Sequence, residues 1–366
     1  MKNILVFFGG ISVERDVSVI TGVLTLNSID KTKYNPVPIY VDQTGAWYTG
    51  EKLSDLDEYK NLDIKNLERV VLFSGDNNLY VLKKNKLKQK FPISCAVNCM
   101  HGERGENGSL SGLLALSNIP LASPNVLPSA ISMDKAVSKI VLSGLSIASL
   151  PFITVESATN LEKLKIPFSF PVIVKPNDGG SSIGIARAKN RSELQDAVCF
   201  ALRYSRKVII EPMLSGFTEI NCAGYKNKNG NVIVSPCEKP VGSGEILSFS
   251  DKYVSGKREF PAKLEINVRN KIQEYTKTIY KSLGFTGTVR IDFFVVDGEV
   301  LVNEINSVPG SLAFYLFTDT LKEFSALLSE LITVAESDFS KDQTLIKKFS
   351  SKILSFGGGK GSKKLR

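Results

Sequence analysis

Thr288-Val-Arg-Ile-Asp-Phe-Phe-Val-Val296 and Val300-Leu-Val-Asn-Glu-Ile-Asn306, joined by Asp297-Gly-Glu299, read as the two strands of a hairpin. Alternate residues of a strand share a face. Arg290, Asp292 and Phe294 therefore point one way, and Glu304 and Asn306 share a face on the partner. Register decides whether the two sets meet. A two-residue Asp297-Gly298 loop pairs Asp292 with Asn303 and turns Glu304 to the other face. A three-residue loop, with Gly298 in the left-handed position, pairs Asp292 with Glu304 and Arg290 with Asn306. Only the second register gathers two carboxylates and a carboxamide, a hard-oxygen ligand set suited to Mg²⁺. The alternative is a polar, solvent-facing stripe on an exposed hairpin. Val289, Ile291 and Phe293 supply the buried face in either case. Asn306-Ser-Val-Pro-Gly310 follows directly, and Pro309-Gly310 predicts a tight turn whose backbone N–H could meet developing oxyanion charge.

Upstream, the chain divides by pattern. Ile4 to Phe8 is a short apolar run ending in Gly9-Gly10, as a buried parallel strand entering a tight turn would be. A helix is expected from Asp16 to about Asn27. Val37 to Val41 reads as a strand whose Pro38 argues for an edge position or a later start. Residues 43 to 92 are polar and turn-rich, with short strand-like pieces at Val70 to Phe73 and Leu79 to Leu82. Ser94 to Asn98, a loop to Gly108 and a helix over Ser109 to Asn118 complete an open α/β sheet of about 120 residues. A helix is expected over Met133 to Gly144, then strands at Phe152 to Val155, Val172 to Lys175 and Val208 to Glu211, with a helix over Ser192 to Tyr204. Strands at Glu219 to Tyr225 and Val232 to Pro236 precede an irregular stretch from Glu238 to Pro261. Helices fit Ile266 to Leu283 and Phe324 to Glu336.

Other polar constellations lie at the ends of these strands. Lys175-Pro-Asn-Asp-Gly-Gly-Ser-Ser-Ile-Gly184 offers glycines that let backbone N–H groups approach a phosphate, but it lacks the Gly-Lys-Ser/Thr of a P-loop. It also suits an ordinary hairpin turn. Lys175, and Lys135 in Met-Asp-Lys, could each give a point charge to a polyphosphate or simply be solvated. His101-Gly-Glu-Arg-Gly-Glu106-Asn-Gly108 leaves a strand where open α/β sheets bind ligands; a lone loop histidine can equally be structural. Glu14, in Gly9-Gly10-Ile-Ser-Val-Glu-Arg-Asp-Val-Ser18, is either a site carboxylate or part of helix capping.

Composition narrows the class. With 366 residues, 43% apolar and 23% charged, the chain is a globular protein of two or three domains. No apolar run approaches the roughly 18 residues of a membrane span, and Met1 to Phe8 is too short for a signal-peptide core. A soluble, cytoplasmic protein is expected. The five scattered cysteines suit a reducing compartment, and Cys95 and Cys99 lack the matching partners of a zinc site. His101 is the only histidine, which excludes a site built from several. The net charge of +9 invites a nucleic-acid hypothesis, but Lys341 to Arg366 holds eight basic residues and one acid, +7 of that total. The tail carries no amphipathic or aromatic-interleaved pattern and reads as a solvated terminus.

In their order, Gly-Gly-Ile-Ser-Val-Glu-Arg-Asp-Val-Ser, His-Gly-Glu-Arg-Gly-Glu-Asn-Gly, Ser-Met-Asp-Lys, Val-Lys-Pro…Gly-Ser-Ser-Ile-Gly, Asp-Lys-Tyr, Val-Arg-Ile-Asp and Asn-Glu-Ile-Asn…Pro-Gly resemble the D-alanine–D-alanine ligases of the ATP-grasp superfamily. The resemblance runs from residue 3 to about 338. It implies an ATP-grasp fold: an N-terminal open parallel-sheet domain (1–126), a central α+β lid domain (127–212), a C-terminal α+β metal and catalytic domain (213–340), and a tail (341–366). It implies ATP as co-substrate, two Mg²⁺ (Mn²⁺ possible) on Asp292, Glu304 and Asn306, and a homodimer. Lys135 and Lys175 would hold phosphates, Glu211 and Glu219 adenine and ribose, and Met213 and Phe294 would flank the adenine. Ser181, Ser182 and Lys252 complete the ATP set. Glu14 would hold the first D-alanine's ammonium with His101 near its carboxylate. Ser18, Asn306, Tyr315 and Leu316 complete the substrate set. Glu14, Ser181 and Tyr253 would form a triad closing a loop, and Arg290 and the Gly310 N–H would stabilise the oxyanion.

The chain departs from this pattern at Tyr315, which falls where the family has a serine for the second substrate's carboxylate; no proline follows. The Glu211 to Glu219 stretch is one residue longer than usual, and the tail lies outside the resemblance. Tyr253 favours a D-amino acid acceptor over D-lactate, because a lactate-using relative would show a histidine in that loop. The expected activity is ATP-dependent synthesis of D-alanyl-D-alanine for peptidoglycan. The alternatives are a D-Ala–D-X ligase, with X such as D-serine, and a non-catalytic ATP-grasp binding protein.

Overall fold

The computed structural model describes residues 1–84, 86–157, 159–241 and 258–351. Three larger sheets carry the fold. In the first, Lys2–Gly9 lies between Tyr34–Val41 and Cys95–Asn98, all parallel. Ile4 through Phe8 are fully buried, because helix Arg15–Ser28 covers one face and Ser109–Leu116 the other. Burial on both faces is why this strand is a continuous apolar run without alternation. Gly9 closes it at φ +86, where an added Cβ would come within 2.5 Å of the Val41 carbonyl.

The expected parallel sheet is a mixed one. Its other four strands (Trp47–Thr49, Glu68–Phe73, Asp76–Lys83 and Lys86–Pro92) form an antiparallel meander on the Tyr34–Val41 side. Turns as short as Ser74-Gly75 impose antiparallel pairing, because parallel pairing requires a crossover of about a dozen residues or more; the longer 50–67 connection, with its three short 3₁₀ helices, also leads to an antiparallel neighbour. Strand Lys86–Pro92 has no buried side chain; its lysines suit an outer edge that must not recruit another strand. The edge expectation for Pro38 is met in part. Trp47–Thr49 pairs with that strand only at Tyr40 and Val41, leaving Pro36 and Pro38 without a ladder partner on that side.

The second sheet, ordered Ala186–Ala188, Val172–Pro176, Lys207–Pro212, Ile153–Glu156, is antiparallel and packs on helix Arg191–Ala201. The third, ordered Val232–Val234, Thr218–Lys226, Thr288–Val296, Glu299–Asn306, is also antiparallel and packs on helix Ile266–Ser282. The helix expected over 133–144 is Lys135–Gly144, and a helix not expected, Val126–Met133, precedes it. Val126–Met133 ends at Asp134, whose side chain accepts from the Val137 N–H and starts Lys135–Gly144. The last helix, Leu321–Gln343, opens on a Thr320/Glu323 capping box and runs beyond the expected end at Glu336. It packs with Phe324, Leu328 and Ile332 on the first sheet's core.

The decisive hairpin has the expected register at the site for a different reason. Its loop is the two-residue Asp297-Gly298, both at positive φ (48° and 81°). Near the tip Phe293 pairs with Val302; beyond it Asp292 pairs with Glu304 and Arg290 with Asn306. A β-bulge between Asp292 and Phe293 absorbs Asn303 and restores Glu304 to the site face. Val289, Ile291 and Phe293 form the buried face as expected. Downstream, Ser311, Leu312 and Ala313 make a left-handed turn, with φ of 51°, 51° and 50°.

Candidate active site

Two joined clefts lie where the three sheets meet. The larger, about 900 Å³, sits between the second and third sheets and is walled by Ile173, Met213, Phe217 and Phe294. Phe217 meets Phe294 edge-on at 4.6 Å between ring centres. Glu219 and Ser182 lie at its margin. Deep inside, Glu211 is 1% exposed and ion-paired to Lys139 (2.6 Å) and Lys175 (2.7 Å). Burial opposes that negative charge, but Lys175 and Lys139 outweigh it and draw the Glu211 carboxyl down to about 2. The carboxylate expected to meet adenine thus also anchors two lysines.

Lys135 begins its helix at the cleft's inner edge, 2.9 Å from Glu304. Burial works against its charge, but Glu304, Glu14 and Glu211 together raise the ammonium above its usual value. Its Nζ also donates to the Gly179 carbonyl. The 177–184 segment connects two antiparallel strands, as the hairpin reading expected, and its residues Gly179 and Gly180 line both clefts. Gly180 must be glycine, since a Cβ there would lie 2.7 Å from Glu14 Oε2.

The second cleft shares Lys135, Gly179, Gly180 and Glu304 with the first and adds Glu14, His101, Ser181, Arg290, Asn306 and Gly310. Ser181 Oγ donates to Glu14. Arg290 grips Asp292 with two bonds of 2.7 and 3.0 Å, and its Nη1 donates to the Tyr315 hydroxyl at 3.4 Å. Asn306 Nδ2 donates to Asp292 at 3.1 Å. His101 Nε2 lies 3.1 Å from Thr21 Oγ1, which accepts the Ser311 N–H at 3.0 Å. Burial first, and Arg290 second, push His101 down to about 4, so it is neutral at pH 7.

Asp292, Glu304 and Asn306 converge from paired strands as an oxygen-only donor set. Among the described residues no three His, Cys, Asp or Glu side chains form a metal cluster, so a metal here needs the Asn306 carboxamide as its third protein donor. The set fits Mg²⁺ by ligand chemistry, because the donors are hard oxygens; Arg290 and Lys135, which pair with the two carboxylates here, would have to share them with the metal.

Some expected residues fall elsewhere. Ser18 is fully buried; it accepts from the Gly9 N–H at 2.8 Å and donates to the Cys99 carbonyl at 2.7 Å, bracing the turn outside the cleft. Leu316 packs with Ala223 and Ala313 behind the left-handed turn. Tyr315 meets the site through Arg290, and its ring lies 4.8 Å from the Arg258 guanidinium. Lys252 and Tyr253 lie outside the described residues.

Three participants escaped the sequence reading. Lys139 is one helical turn beyond Lys135, a spacing that places both on one face. Asn303 accepts from Lys175 Nζ at 3.4 Å, at the bulge no spacing rule announced. Glu106 stands in the His101 motif but drew no role; its carboxylate accepts from the Gly102 and Val308 N–H groups.

Models of the D-ala D-ala ligase N-terminus and C-terminus match residues 3–124 and 141–334. A D-alanine–D-alanine ligase of Thermosipho melanesiensis is 35% identical over 94% of this chain and 96% of its own. The crystal structure of D-alanine–D-alanine ligase from Helicobacter pylori superposes with a TM-score of 0.76 at 29% identity, covering 95% of this chain and 100% of that one. The VanG D-Ala:D-Ser ligase of Enterococcus faecalis gives 0.78 at 27%, covering 91% and 99%. A likeness in fold at this coverage, joined to paired family models, gives the conclusion: the chain has the ATP-grasp fold and belongs to the D-alanine–D-alanine ligase family.

Proposed function

We propose that this chain joins two D-alanines into D-alanyl-D-alanine at the cost of ATP, supplying peptidoglycan synthesis in the cytoplasm. The observation that carries this reading is the shared wall of the two clefts: Lys135 and Glu304 line both, so a phosphate chain ending in the first cleft meets a carboxylate held in the second. Met213 and Phe294 flank the adenine, Glu211 and Glu219 take adenine and ribose, and Lys135, Lys175, Ser181, Ser182 and Lys252 attend the phosphates. Glu14 receives the first D-alanine's ammonium and His101 stands by its carboxylate. Tyr253 joins Glu14 and Ser181 in closing the site against water.

The donor's carboxylate oxygen attacks the γ-phosphorus and ADP leaves, giving an acyl phosphate. The acceptor's amine, having lost a proton, attacks the acyl carbon; Arg290 and the Gly310 N–H face the oxyanion of the tetrahedral intermediate. Phosphate leaves with the electron pair of the broken C–O bond. Asp292, Glu304 and Asn306 are the residues that would hold two Mg²⁺, or Mn²⁺, whose charge offsets that of the phosphates. The chain works as a homodimer, and its domains divide at 126/127 and 212/213, with the region after 340 as an appendage.

A second acceptor, D-serine, is favoured by one observation: Tyr315 places a hydroxyl against Arg290 where a serine is usual. ADP release and product analysis across D- and L-amino acids and D-lactate test both readings. D-Alanine alone should drive ADP release with one D-alanyl-D-alanine per ADP. Absence of that dipeptide from a sample that binds ATP refutes the first reading, and a mixed D-alanyl-D-serine product in its place supports the second.

A further inference from the structure

Glu106 ends the short helix Glu103–Glu106 in the first domain and lines the second cleft, yet no step above uses it. Its carboxylate is a bridge between two segments distant in sequence. Oε2 accepts the Gly102 N–H at 2.8 Å, in the loop that carries His101. Oε1 accepts the Val308 N–H at 3.3 Å, two residues before Gly310. Ser307 Oγ adds a contact to the Glu106 carbonyl at 3.4 Å. The charged neighbours in this cleft are Glu14, Glu304, Lys135 and Arg290, with neutral His101 among them. Loss of hydration, and then Glu14, push the Glu106 carboxyl up to about 8. The Gly102 and Val308 N–H groups oppose that rise and hold both oxygens of the carboxyl group in place.

We propose that Glu106 is a positioning residue: by tying the Gly102 and Val308 N–H groups to one carboxylate, it sets the Gly310 turn against the donor-side loop for attack by the second amino acid. The inference rests on the ligase reading above. Its effect is confined to the second half of the reaction. Acyl phosphate formation depends on the nucleotide cleft and the donor site, whose His101 loop Glu106 holds through the Gly102 N–H. Attack by the acceptor depends on where Gly310 points. With that turn loose, water competes: it adds to the acyl carbon and phosphate leaves, returning free D-alanine and spending ATP without product.

Glu106→Gln separates the two bonds. A carboxamide has one acceptor oxygen, so it keeps the shorter bond to Gly102 and turns its NH₂ toward the Val308 N–H, donor against donor. A misplacement of about 1 Å costs up to a hundredfold in rate, so dipeptide synthesis is expected to fall roughly ten- to hundredfold. The expected signature is uncoupling: ADP released per dipeptide rises several-fold above one, while ATP affinity, by titration, stays within twofold of wild type. Glu106→Asp, which keeps the carboxyl group but is too short to span both donors, should uncouple too. A merely structural role would lower ADP release and dipeptide together. Variants that remain coupled one to one overturn the proposal, as does loss of ATP affinity in both; if one variant alone loses it, the other's ratio decides. A wild-type protein that makes no dipeptide refutes the ligase reading instead.

Discussion

Replacing Lys139 by Met tests the buried charge cluster behind the nucleotide cleft. The Lys139 ammonium lies 2.6 Å from Glu211, with side chains 4% and 2% exposed, and also donates to the Leu150 carbonyl at 3.2 Å. Deleting one partner of a buried ion pair costs about 3–5 kcal/mol. Two features reduce that here. Lys175 stays on Glu211 at 2.7 Å, and the burial that lowers the Lys139 pKa is relieved when the ammonium is gone. A loss of about 2 kcal/mol at pH 7 is expected. The pH dependence follows from sign. Glu211 has a folded pKa of about 2, below its ordinary 4.5, so its contribution is complete above 4.5 and disappears as pH falls through 2. Without Lys139 the Glu211 pKa rises, so the acid loss that begins near 4.5 in both proteins is complete at a higher pH in the variant, and the gap between variant and wild type closes toward pH 2. Urea unfolding of wild type, Lys139→Met, Glu211→Gln and the double variant, at pH 7 and pH 3, measures this. A coupling energy below about 0.5 kcal/mol at pH 7, the scatter expected of independent sites, would refute the reasoning.

Two further outcomes concern the second cleft. His101→Ala should lower dipeptide synthesis while ATP affinity stays within about twofold; because the folded His101 pKa of about 4 lies below its ordinary 6.5, its stabilising share is present above 6.5 and lost as pH falls through 4, so Tm measured against pH should flatten over that window in the variant. Tyr315→Phe keeps the ring beside Arg258 but removes the hydroxyl 3.4 Å from Arg290; with hydrogen bonds to charged groups worth about 1.5–3 kcal/mol, and this long one at the low end, the acceptor KM should rise about tenfold while ADP release in the first half-reaction is unchanged. An unchanged acceptor KM would remove Tyr315 from the acceptor site.

What the sequence showed, it showed where one local pattern had one physical cause. The apolar run Ile4 to Phe8 followed by two glycines, the alternation in 288–306 and the Asp before Lys135 each led to the observed element. The motif residues Glu14, Ser181, Arg290, Asp292, Glu304 and Asn306 converge as the resemblance implied. What stayed hidden depended on partners distant in the chain. Lys86–Pro92 offers only Leu87 and Phe91, with Gln89 between them, in alternation with its lysines, and its place at the sheet edge exists only in the assembled sheet. Ser18 looks like a site hydroxyl until the Cys99 carbonyl arrives from another strand. Lys139 and Glu106 act through Glu211 and Val308, each far along the chain. The hairpin shows the limit most sharply. The right pairing was inferred from a three-residue loop, whereas the loop has two residues and the extra one is taken up six positions later.

That bulge also constrains how relatives of this chain can gain or lose residues. Removing Asn303 would leave Phe293 facing Val302 and Asp292 facing Glu304, so both faces of the hairpin would survive a one-residue gap there. Any other single deletion between Glu299 and Val302 would either turn the apolar residues outward at the tip or bring Asn303 onto the core face beside Phe293. When homologous chains are aligned, a gap in this hairpin therefore belongs at Asn303, even where a simple match of letters would place it at the loop.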